Sequence, residues 1–110
     1  MTPKAKPAAV VAEDDTTARD SEALDLRREG HSFAQVARTL GYEKARDANL
    51  AFNRALRRLP KRDRDATRRA EGKRLDTMVR RINATTDLTP EETTRQLRVV
   101  DRLRQRLLAD

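Results

Sequence analysis

Apolar residues along this chain recur at steps of three and four and nowhere alternate, so the pattern predicts helices and no strand. The first periodic stretch runs from Thr17 to Glu29, with Ala23, Leu24 and Leu26 as apolar positions and Gly30 as the stop. Ser32 opens a second helix, because Gln35 stands three residues on, at the spacing of a capping box. Phe33, Val36, Ala37 and Leu40 follow at helical steps, and Gly41 supplies the left-handed residue that ends the helix. A third helix is predicted from Glu43 to Leu59, closed by Pro60. At one helical rotation per residue, Ala45, Ala48, Phe52, Ala55, Leu56 and Leu59 fall on one side of it. Arg46, Leu50, Asn53, Arg54 and Arg57 fall on the other, flanked by Asp47 and Arg58.

Beyond Pro60 the charged stretch Lys61 to Lys73 reads as a solvated helix. Apolar positions resume at Leu75, Met78, Val79 and Ile82, the stripe of a fourth helix with Gly72 as its weak point. Asn83 to Leu88 reads as a turn. Thr89-Pro90-Glu91-Glu92 then combines an N-cap, a proline at the first helical position and a glutamate at the third. The fifth helix carries Leu97, Val100, Leu103 (or its neighbour Arg104), Leu107 and Leu108. The expected fold is all-α: a three-helix helix-turn-helix domain over 18–60, then a C-terminal helical pair over 61–110 that serves self-association. Residues 1–17, with Pro3 and Pro7 and then an acidic run, are expected to form a disordered arm.

Composition narrows the chemistry. Of 110 residues 39% are charged, and 25 Lys and Arg against 18 Asp and Glu leave a formal net charge of +7. So polar a chain builds only a thin core, which helix pairing or dimerisation would reinforce. The basic excess suits a polyanion, whose counterions are released on binding; the plain alternative is an arginine-rich solvated surface. With no cysteine, disulfides, thiol catalysis and cysteine-based zinc sites are excluded. His31 is the only histidine and has no evident orienting partner, so it reads as structural or solvent-exposed rather than catalytic. Glu13-Asp14-Asp15 lacks the folded frame that a hard cation needs. There is no glycine-rich phosphate loop and no nucleophile elbow. The sequence therefore points to no enzyme, no cofactor, no metal and no small-molecule substrate. No apolar run reaches the length of a membrane span, and Ala8 to Ala12 is too short for a signal-peptide core, so the expected location is the cytoplasm, on the nucleoid.

The functional reading rests on the second helix, its glycine turn and the basic outer face of the third. In a helix-turn-helix the second member enters the major groove, where each base pair shows its own donor and acceptor pattern. Long polar side chains near the start of that helix suit base readout: Lys44, Arg46, Asn49 and Asn53. Asp47 either accepts from cytosine or pairs with a neighbouring arginine. Arg54, Arg57, Arg58 and Lys61 are suited to phosphates, which orient without reading sequence. Leu97, Val100, Leu103 and Leu107 are the expected self-association seam, with a dimer favoured over a ring. The expected partner is double-stranded DNA. The alternatives are a nucleoid-associated DNA organiser and a helical protein-interaction module; RNA ranks lower, because single-strand readers offer stacking aromatics.

Ala23 through Gly30, Ser32 through Ala37 and Leu40-Gly41-Tyr42 together resemble the helix-turn-helix of small actinobacterial and phage proteins described as small terminase-like or homeodomain-like DNA-binding proteins. The resemblance continues through Ala55 to Leu59, Arg74 to Asp76 and Leu97 to Leu108. It implies a recognition helix at about Lys44 to Leu59 and a C-terminal helical pair that supports assembly. This chain departs from such proteins in starting that helix with Glu43-Lys44 in place of Ser or Thr. It also carries Ala84-Thr85-Thr86-Asp87 where they often have a bulky aromatic segment.

Overall fold

The computed structural model describes residues 8–109, and among them there are helices and no strand. The helices are α1 (Ala8–Arg28), α2 (Phe33–Leu40), α3 (Ala45–Arg58), α4 (Lys61–Ala84) and α5 (Pro90–Leu108). They divide between Arg58 and Leu59 into two compact units. Of the arm expected over 1–17, residues 1–7 lie outside the described residues. α1 begins at Ala8, ahead of the expected Thr17. The reason is local: Ala8, Ala9 and Ala12 favour a helix, and Pro7 precedes its first residue.

In the N-terminal unit, α3 is covered by both α1 and α2. α1 buries Asp20, Ala23, Leu24 and Arg27, one face at steps of three and four, and half of that face is charged. α2 is fixed at both ends. At its start Ser32 Oγ accepts from the Gln35 amide (3.1 Å) while the Ser32 amide donates to Gln35 Oε1 (2.8 Å). At its end Gly41 takes φ 79°, and the Tyr42 amide donates to the Ala37 carbonyl (2.9 Å). Phe33, Val36 and Ala37 are buried, and Phe33 meets Phe52 of α3 edge to face, with centroids 5.5 Å apart.

α1 also clamps α2 with two cations. The Arg19 guanidinium donates from Nε (3.0 Å) and Nη2 (2.8 Å) to the Leu40 carbonyl, a free acceptor at the C-terminus of α2. The same guanidinium lies 4.1 Å from the centre of the Tyr42 ring. Arg27, buried, lies 3.9 Å from the centre of the Phe33 ring and donates to the His31 carbonyl (3.2 Å). The position and tilt of α2 are thus set by arginines as well as by apolar packing.

In the C-terminal unit, α4 and α5 form a hairpin. α4 is one helix: the charged stretch and the apolar stripe, read separately from sequence, run continuously through Gly72. The turn Thr85–Thr89 leads to α5, whose Thr89 and Glu92 exchange the two bonds of a capping box (2.9 and 3.1 Å). Leu75, Ile82, Val100 and Leu107 are buried. Polar ties that join the helices include Arg104 to Asp76 (3.0 Å) and Arg68 to the carbonyls of Leu107 (2.9 Å) and Ala109 (3.1 Å) at the end of α5. No helix among the described residues is long and apolar enough to cross a membrane.

Candidate nucleic-acid interface

Two helices lie on α3, so its buried arc is wide. Ala48, Asn49, Ala51, Phe52, Asn53, Ala55 and Leu56 are all buried, which spans about 200° of the helix circumference. The complementary arc, about 120° wide, presents Arg46, Asp47, Leu50, Arg54, Arg57 and Arg58. This arc is the candidate interface.

The two asparagines are corrected by this geometry. Asn49 is 3% exposed and Asn53 2%, so neither side chain faces a groove. Asn53 sits on the same side of the wheel as Arg46, and an amphipathic reading with half the helix buried puts it outside. The second covering helix widens the buried arc past it. Inside, Asn53 Nδ2 donates to the Asn49 carbonyl (3.0 Å), one turn back, and Oδ1 has no hydrogen-bond partner. Both residues belong to the packing of the unit.

Lys44 and Arg46 are exposed, as base readers must be. Lys44 precedes the helix rather than lying within it. Its carbonyl accepts from the Asp47 amide (3.0 Å), and its amide donates to Asp47 Oδ2 (3.3 Å). Asp47 therefore closes the N-terminus of α3 and holds Lys44 at its entrance, where acidic groups also meet the positive end of the helix dipole.

The arginines read as phosphate contacts separate into two kinds. Arg57 is exposed and makes no ion pair or hydrogen bond through its side chain among the described residues. Arg54 and Arg58 converge on Asp20 of α1, whose side chain is 1% exposed. Arg54 donates from Nε to Oδ2 (2.9 Å) and from Nη2 to Oδ1 (3.0 Å), and Arg58 from Nη1 to Oδ2 (3.0 Å). The hydrogen bonds from Asp20 hold the Arg54 guanidinium even more firmly protonated than usual. Asp20 leaves Nη1 of Arg54 and Nη2 of Arg58 free of its own bonds, and both side chains stay about two-fifths exposed (40% and 44%). The sequence reading missed Asp20. Its signal was the buried frame of α1: Ala23, Leu24 and Arg27 extend back to position 20, where a carboxylate needs a cation.

Lys61, exposed at the first position of α4, pairs with Asp65 (2.8 Å) and belongs to the other unit. That bond holds the Asp65 carboxyl below the usual carboxylate range. Of the expected self-association seam, Val100 and Leu107 are buried while Leu97 and Leu103 are half-buried. Their apolar surface is largely spent within the unit. The hairpin also carries an open groove of about 340 Å³ lined by Met78, Arg81, Ile82, Gln96, Val99 and Val100. Val99 is 43% exposed. The His31 ring lies 3.9 Å from the Glu29 carboxylate and is partly exposed, and no group of three or more metal-binding side chains occurs among the described residues.

Comparison with protein-family models, curated proteins and solved structures finds no match to this chain.

Proposed function

We propose that this protein binds duplex DNA as a helix-turn-helix, with α2 bracing and the exposed arc of α3 entering the major groove. The observation that carries the reading is the make-up of that arc. A single continuous face holds four arginines, one half-exposed leucine and one acid that is already engaged in closing the helix. Lys44 and Arg46 at the leading end are the base readers, since a guanidinium can fork onto guanine O6 and N7. Arg57, with Arg54 and Arg58 oriented by Asp20, contacts phosphates. The half-exposed Leu50 on the same arc is suited to apolar contact with a thymine methyl group.

In this reading two copies assemble through the hairpin, at the groove of Met78, Ile82, Val99 and Val100, and a two-fold dimer presents α3 to two half-sites. Phage DNA recognition, transcriptional regulation and nucleoid organisation all use such a module.

The test is binding to random and genomic duplex fragments at two salt concentrations, with mass by light scattering in the same buffer. Arg57→Ala is expected to weaken binding to every duplex and to lower the salt slope by about 0.9. Arg46→Ala is expected to cost about 1–3 kcal/mol of discrimination between fragments. Loss of the same size on every fragment for both variants would leave a DNA organiser without base readout. Absence of binding at low salt would leave the protein-interaction module, for which the open apolar groove on the hairpin is the favouring feature.

A further inference from the structure

α4 carries a second cationic surface that the reading of α3 does not use. Because the helix is continuous from Lys61 to Ala84, residues far apart in its sequence come into line. Arg62, Arg69, Lys73 and Arg80 fall within about 40° of one another around the axis and along about 27 Å of its length. All four are exposed, and none makes an ion pair among the described residues; Arg80 donates only to the Thr77 hydroxyl (3.1 Å). The ground between them is low: Ala66 and Ala70 are exposed beside the line.

A solvated helix face ordinarily mixes signs, with acids and bases paired one turn apart. Here the acids nearest the line are taken, Asp65 by Lys61 (2.8 Å) and Asp76 by Arg104 of α5 (3.0 Å). Arg69 and Lys73, four residues apart, repel each other, which costs a helix a few tenths of a kcal/mol. Asp65 also attracts Arg69 electrostatically, but among the described residues no acid forms an ion pair with any of the four, and such a row of like charges complements a polyanion. The occupant is a nucleic-acid duplex rather than a single strand, because Phe33 and Phe52 are buried and Tyr42 is half-buried, which leaves no stacking platform. It is not a membrane surface, since α4 exposes no large apolar side chain to sink beneath the headgroups.

We infer that α4 is a second duplex-binding element, which tracks the phosphate backbone through Arg62, Arg69, Lys73 and Arg80. The inference rests on the duplex-binding reading for the identity of the polyanion and on different residues for its evidence. It gives the C-terminal unit a role in affinity beside any role in assembly, and that role is blind to sequence.

The experiment uses the full chain and a random-sequence duplex over a series of salt concentrations. One variant combines Arg69→Gln, Lys73→Gln and Arg80→Gln. The control combines Arg95→Gln, Arg98→Gln and Arg102→Gln, which removes the same charge from exposed positions of α5. Glutamine favours helices, and circular dichroism checks that helix content is kept. The α4 variant is expected to lower the salt slope by about 2.7 and to weaken binding at least tenfold at low salt, with the control losing less than one unit of slope. Equal losses in the two variants, or no loss in the α4 variant, overturn the inference. Arg46→Ala and Arg57→Ala run beside them keep the two readings apart. If those are silent while the α4 variant loses slope, the groove-reading role of α3 falls and α4 stands; the reverse pattern removes α4 alone.

Discussion

Arg54 and Arg57 stand one turn apart on α3, yet their side chains have different work. Arg54 supplies two of the three bonds to the buried Asp20 carboxylate, and Arg57 supplies none. Arg54→Ala would leave that carboxylate with Arg58 alone, at a cost of about 2–3 kcal/mol once partial hydration of the pair is allowed for. Arg57→Ala should stay within about 0.5 kcal/mol of the parent. Urea melts of the two variants check this, and they matter for any binding assay, because a loss on Arg54→Ala mixes folding with contact. Asn53→Ala is likewise expected to shift the melt while leaving the ranking of DNA fragments unchanged. Tyr42 offers a direct optical test. Its hydroxyl is buried without a partner, and burial pushes its ionisation above the ordinary 10.0. A group that stays protonated longer in the folded state contributes stability below its unfolded value, and that contribution is lost as pH rises past it. Tyr42 is the only tyrosine, so ultraviolet titration should place its midpoint higher in the folded chain than in urea; equal midpoints would contradict the burial.

At the scale of the element, the helix ends are built by side chains written beside them. The capping boxes of α2 and α5 follow from Ser32 with Gln35 and Thr89 with Glu92. Thr89→Ala should cost about 1 kcal/mol of stability in the C-terminal unit. The bonds from the Thr89 amide and hydroxyl hold the Glu92 carboxyl below the ordinary glutamate value. A lowered value means the contribution is present above the unfolded pKa and disappears as pH falls through the folded one, so the difference between Thr89→Ala and parent should shrink in acid. α4 shows what tertiary context adds: Gly72 sits inside a long helix with open space where a Cβ would go. Gly72→Ala should therefore stabilise by about 0.8–1 kcal/mol, measured by thermal melting. Gly41 differs, because its φ of 79° strains any side chain although the nearest atom, Arg19 Nη2, lies at an ordinary 3.6 Å.

For the whole molecule, charge is divided between two units, and the candidate DNA-facing residues divide with it. In the proposed reading α3 offers an arc that both reads and grips, and α4 a line that only grips. Sites in separate units with no shared partner act additively. Arg57→Ala combined with the α4 triple variant should lower the salt slope by about 3.6, the sum of the separate losses; a smaller sum would mean the two surfaces compete for the same phosphates.

The all-helical class, the two capping boxes and the glycine that ends α2 were legible in the sequence, because each depends on residues within one or two turns of one another. So were Arg46, Arg57 and Lys44 as exposed cations. The fate of Asn49 and Asn53 was not, since periodicity shows which side of a helix is apolar but not how many neighbours will cover it. The junction of Asp20 with Arg54 and Arg58 spans 34 and 38 residues and exists only once α1 lies on α3. The cationic line on α4 was hidden for a related reason: Gly72 suggested a break, and only a helix that runs through it brings Arg62 and Arg80 onto one face. Local chemistry settled where the helices are, and tertiary contacts decided which of their polar side chains remain free to meet a partner.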